Sequence, residues 1–215
     1  MELMALITLA AASLITALGC FARSTRRTII FLSMQAIAIG TVELVHCLIN
    51  LIVGLNIEAL VYFFITFAEW FLAAAVIPLI LYWGVTKTEN ILDEPIIGIR
   101  RLILFASLIT PLYVGLWLFQ SPALQGKMAS LPFCMLMFSL SIFLISTRND
   151  SLKILVGLNM AENALYPLLA ESPITLIPFI LALMIFVTAM GTYIVVEAYR
   201  DYGTISVNRW RWLNK

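Results

Sequence analysis

The sequence predicts an all-α integral membrane protein with seven transmembrane helices, the N-terminus outside and the C-terminus inside, built as two parallel three-helix repeats joined by a spacer helix. Three observations carry this. The 215 residues are 62% hydrophobic and only 12% charged, against about 25% charged in a typical soluble domain, and mean hydropathy is +1.02. The apolar residues fall into runs near the roughly 20 residues that a helix needs to cross a bilayer. Of the 13 Lys and Arg residues, seven spans leave only Lys127 outside and gather the rest inside, a strong positive-inside pattern.

The first run, Leu3–Ala22, has its charges behind it at Arg23, Arg26 and Arg27. A secretory leader carries charge ahead of a shorter apolar stretch, so this run is expected to be a retained span. Thr28–Asn50 and Ala59–Gly84 follow and complete a first repeat over residues 1–84. Within the third run, Pro78 lacks the N–H a helix needs, so a kink is expected there. Residues 85–120 form a loop of alternating charge, expected inside, and the spacer span Leu102–Phe119. The stretch SPALQGKMASLP, with Pro122, Gly126 and Pro132, must turn the chain. Leu124–Ile145, Leu152–Ala170 and Ile174–Ala198 then make a second repeat over 121–199. The tail, 200–215, sets Trp210 and Trp212 beside Arg209 and Arg211, which suits an interfacial anchor or a docking strip for a partner.

The repeat shows in polar placement. RSTRRT precedes the second run and STRNDS precedes the sixth, and each run then carries an acid, Glu43 or Glu162. Both acids lie roughly 20–24 Å along the helix from that turn. An odd spacer helix gives the two triplets the same orientation.

Carboxyl groups at such depth cost about 3 kcal/mol each even on insertion scales. In the second run, Gln35, Glu43, His46 and Asn50 fall within about 80° of one another at helical spacing. They form either a proton relay or packing glue of interhelical hydrogen bonds. Glu69 is the eleventh residue of the third run, with small Thr66 and Ala73 one turn to either side. In the sixth run Asn159, Glu162 and Tyr166 lie within about 60°, with Asn163 beside them, and Thr188 and Thr192 of the last run can face this stripe. Glu43, Glu69 and Glu162, with His46, are the expected ion path; Glu58, Glu171 and Glu197 lie at or near helix ends.

Other chemistries find no support. A Schiff-base photoreceptor needs a lysine in the membrane, and Lys87, Lys127, Lys153 and Lys215 lie in loops or at ends. Cys20, Cys47 and Cys134 have no CxxC spacing. No HExxH, GxSxG or phosphate-binding glycine loop occurs. No active site, metal or cofactor of its own is expected, and power for ion movement must come from a partner.

The pieces VIPLILYW (76–83), TRND–SLKILVGLNMAENALYP (from Thr147) and EAYRDYGTISVNRW (from Glu197) resemble component E of hydrogenase-4 and formate hydrogenlyase complexes over nearly the full length. The resemblance implies a plasma-membrane subunit of a complex-I-related, energy-converting [NiFe] hydrogenase. Its implied partners are antiporter-like subunits, a membrane anchor and a hydrophilic hydrogenase arm. Each triplet is similar to the small three-helix subunit of complex I and of multisubunit sodium/proton antiporters, whose second- and third-helix acids Glu43 and Glu69 match approximately. Departures are clear. The glycine–leucine–acid element reads Gly157-Leu158-Asn159, with the acid one turn on at Glu162. The last run has Met190 or Gly191 where the third-helix acid is expected. Ala73 stands where relatives carry a lysine. A stand-alone ion-coupled transporter and a purely structural bridging subunit are the competing readings.

Overall fold

The computed structural model describes residues 2–88, 96, 98–119, 130–169 and 176–207. The helices are α1 (Glu2–Phe21), α2 (Thr25–Val53), α3 (Asn56–Phe71), α4 (Ile77–Lys87), α5 (Ile99–Leu118), α6 (Leu131–Thr147), α7 (Ser151–Leu169) and α8 (Leu176–Tyr202). A π-helical turn, Leu72–Val76, joins α3 to α4. Four helical stretches, Met4–Phe21, Thr25–Val53, Ala59–Lys87 and Pro178–Tyr202, are long and apolar enough to cross a bilayer, and α5 and α6 hold shorter apolar stretches. The protein is therefore a multi-pass helical membrane protein.

Local chemistry sets the helix ends, and it differs from polarity alone. Helix α2 overruns the expected Thr28–Asn50 by about one turn at each end. It starts after the extended Ser24 and stops only at Gly54, whose φ of 87° is left-handed and whose N–H closes the helix on Asn50 and Leu51 carbonyls. Helix α4 continues past Gly84 to Lys87. The expected kink at Pro78 takes the form of the π turn before it. A proline in a helix leaves the carbonyl four residues earlier, that of Ala74, without its usual partner, and widening the helix by one residue absorbs the misfit. Helix α7 begins at an acidic cap: Asp150 Oδ1 accepts the N–H of Leu152 at 2.9 Å and of Lys153 at 3.3 Å. Residues 89–95, the SPALQGKMAS turn with Lys127 up to 129, residues 170–175 and the tail from 208 lie outside the described residues, as do the side chains of His46 and Glu58.

Helices α2 and α7 pack together at the centre. Helix α1 packs on α2 and α6, α2 on α3, α7 on α6 and α8, and α4 on α8, while α5 covers α6. Thus α1 touches α6, α2 touches α7 and α4 touches α8. Leu32, Ile39, Leu81, Met137, Leu152 and Met160 are buried between them. The outer faces of α3 and α8 carry exposed Phe63, Phe64, Phe67, Phe71, Phe179 and Phe186, as a hydrocarbon-facing surface does.

One end of the bundle is pinned by polar bonds. Buried Arg148 donates to Cys20 O at 2.6 Å, and buried Lys153 donates to Ala22 O at 2.7 Å and Arg23 O at 3.2 Å. Two cations from the α6–α7 turn thereby cap the negative C-terminus of α1. Thr25 Oγ1 donates to Asp150 Oδ2. Ser151 N and Oγ bond Ile205 O, and Val207 N bonds Asn149 O. The two polar turns read as repeats, RSTRRT and STRNDS, thus hold one another.

Candidate ion site in the membrane

The acids of α2 and α3 converge. Glu43 and Glu69 are 2% and 1% exposed. Glu69 approaches α2 one turn below Glu43, and buried Tyr166 of α7 lies near the same level, since Gln35 of α2 bonds the carbonyl of Met160 on α7. Gly40, one turn before Glu43, permits this approach. A Cβ there would sit 2.5 Å from Trp70 Nε1 and 3.4 Å from Glu69 Oε2. Trp70 uses that space to donate to Ile37 O at 3.2 Å. Both oxygens of Glu69, Oε2 of Glu43 and the Tyr166 hydroxyl find no hydrogen-bond partner among the described residues. Two carboxyls and a phenol with free lone pairs on one interior surface are suited to take up and pass on a proton.

Below the pair, Gln35 is fully buried; its Nε2 donates to Thr16 Oγ1 at 2.9 Å and to Met160 O at 3.3 Å. On α7, Asn159, Asn163 and Tyr166 recur at i, i+4 and i+7, all buried. Thr188 of α8 donates to Asn159 Oδ1 at 2.9 Å. Thr192, one turn nearer the pinned end, is buried in contact distance of α4 at Gly84. Thr66 and Ala73, the small neighbours of Glu69, are buried as well.

Two expected members stand apart. Glu162 is half-buried and shares the more open stripe of α7 with Ile154, Leu158 and Leu165. The cause is helical phase: Glu162 is about 60° away from Asn159, enough to carry it off the face that packs on α2. Asn50, near the end of α2, is partly exposed. The side chain of His46 is outside the described residues, so the Glu43–His46 pairing is an expectation from spacing. Glu197 pairs with Arg200 at 2.9 Å at the surface.

Sequence reasoning missed Gly40, Trp70 and Thr16 within this site. Gly40 carried a signal, since a glycine inside a helix marks close approach; Thr16, one of two threonines in α1, carried none. Among the described residues no group of three His, Cys, Asp or Glu comes together to hold a metal, and the three cysteines are buried and separate.

Fold and site define a multi-pass helical membrane protein with a buried carboxyl pair where α2 meets α3. Residues 130–215 match the family model described as NADH-ubiquinone/plastoquinone oxidoreductase chain 4L. No curated protein and no solved structure matches the chain. The matched residues hold α6, α7 and α8, whereas Glu43 and Glu69 lie outside the match, on α2 and α3.

Proposed function

We propose that the chain is a non-catalytic subunit in the membrane arm of a complex-I-related, energy-converting complex, in which Glu43 and Glu69 form the central ion site. The observation that carries this reading is the meeting of two buried carboxyls from α2 and α3, three of whose oxygens find no hydrogen-bond partner among the described residues, a costly arrangement in a membrane unless it is used. The similarity of residues 130–215 to the chain 4L family supports a place in a complex of that kind. The resemblance to hydrogenase-4 component E favours a formate hydrogenlyase-like assembly in the plasma membrane. There the chain bridges antiporter-like subunits to the membrane anchor and hydrogenase arm. In this reading the chain crosses the bilayer seven times, N-terminus outside, as two parallel repeats, and the pinned end is the inner one. Glu162, on the open stripe of α7, passes the ion sideways to a neighbouring subunit, and His46 and Asn50 continue the path from Glu43 toward the outer end.

Isolation in mild detergent tests the class. A tagged chain is expected to come away with large membrane subunits and a nickel-containing arm. Recovery as an active monomer or homodimer contradicts the proposal and favours the stand-alone transporter.

A further inference from the structure

We infer that protons, and not sodium ions, reach the Glu43–Glu69 pair from the pinned end of the bundle along one buried row on α8 and α7: Thr192, Thr188, Asn159, Asn163 and Tyr166. The inference rests on the reading of the pair as an ion site and adds the direction of access and the identity of the ion.

The row is continuous in level. Thr188 and Thr192 are one turn apart on α8, and Asn159, Asn163 and Tyr166 follow one another at single turns on α7. The Thr188–Asn159 hydrogen bond of 2.9 Å joins the two helices. None of the five side chains is more than 2% exposed. At 1.5 Å per residue the two stretches together cover roughly 16 Å, about half the hydrocarbon thickness. The lower end lies level with Gly84 and Leu152, where a Cβ on Gly84 would meet Thr192 Cγ2 at 2.5 Å and Leu152 Cδ2 at 3.1 Å. The upper end, Tyr166, lies six residues beyond Met160, whose carbonyl accepts Gln35 of α2 at 3.3 Å, and so stands near the level of Glu43, eight residues beyond Gln35.

Three atoms of the row, Thr192 Oγ1, Asn163 Nδ2 and the Tyr166 hydroxyl, are buried without a hydrogen-bond partner among the described residues. A buried polar atom left in that state costs about 1–3 kcal/mol, and internal water is the usual remedy. Threonine and tyrosine hydroxyls each donate and accept. A proton arriving on one oxygen is therefore matched by release of that oxygen's own proton to the next water, with the amides orienting the waters between. A sodium ion needs several oxygens at once to replace its hydration shell. Each level here offers one or two polar groups among Leu155, Val156, Met184 and Val195, so the row passes protons only.

The test uses the chain in its complex, in sealed vesicles of known orientation, with Cys20, Cys47 and Cys134 replaced by alanine. A small cationic thiosulfonate is the probe. Thr192→Cys and Asn163→Cys are expected to react about tenfold faster than Leu144→Cys, an equally buried control on α6. Equal rates at all three overturn the row. Proton translocation is then followed with a pH-sensitive dye, and Thr192→Val and Tyr166→Phe are expected to slow it about tenfold or more. If Glu69→Gln stops translocation while these two variants run at the parental rate, the pair stands and the row falls. If Glu69→Gln changes nothing, the ion site itself fails, and the labelling still decides whether the row is hydrated. Replacing sodium by potassium is expected to leave the rate unchanged; a sodium requirement overturns the proton assignment.

Discussion

The Nζ of Lys153 donates hydrogen bonds to the carbonyls of Ala22 and Arg23, residues 131 and 130 positions away in the chain. This ammonium lies at the start of α7 and closes the end of α1, so one side chain ties the two polar turns together. Lys153→Met keeps the apolar stem and removes the charge-assisted bonds, each worth about 1.5–3 kcal/mol. A clear fall in the thermal midpoint of the detergent-solubilised protein is expected. An unchanged midpoint means that the turns are held by other bonds.

Gly40 is where α2 comes nearest to Trp70. Gly40→Ala puts a methyl 2.5 Å from Trp70 Nε1 and 2.7 Å from its Cδ1, which must swing the indole away and break its bond to Ile37. Overpacking of this kind costs about 1–3 kcal/mol. The expected outcome is lower stability together with slower translocation, because the indole stands next to Glu69 in sequence and shares its space. Stability and activity measured on the same preparation check this.

Gly84 and Thr192 give a reciprocal test of the α4–α8 contact. Gly84→Ala is expected to destabilise by about 1–3 kcal/mol. Thr192→Ser removes the Cγ2 methyl that the new Cβ would meet, so the double variant is expected to regain most of the loss. Additive losses in a double-mutant cycle contradict this packing.

Two acids outside the pair separate position from charge. Glu162→Gln is expected to leave the complex assembled and to reduce ion pumping in vesicles. Glu197→Gln removes an exposed pair with Arg200, worth about 0–1 kcal/mol, and is expected to change neither.

Much of this was legible in the sequence because the bilayer imposes a simple rule: long apolar runs are helices, and polar side chains within them turn inward. Gln35, Glu43 and Glu69 obey it. Helical phase at single-residue resolution was harder to read. Glu162 looked equivalent to Glu43 by distance from its polar turn, yet 60° of rotation decides whether a side chain faces α2 or the open side of α7. Spacing placed Asn159 and Tyr166 on one stripe, but which of the stripe's neighbours meets the pair depends on how α2 and α7 dock. Lys153 near a helix start read as an ordinary end residue, whereas it is buried because α1 ends against it. That contact joins residues more than a hundred apart, which no local pattern encodes.

The proposed role of Glu43 and Glu69 in carrying the translocated ion is tested by redox-driven proton uptake in sealed vesicles containing the complex with Glu43→Gln or Glu69→Gln, with electron transfer followed in parallel. Either substitution is expected to leave the subunits assembled and to lower uptake by about tenfold or more. Uptake at the parental rate in both variants contradicts it and reduces the pair to a structural contact.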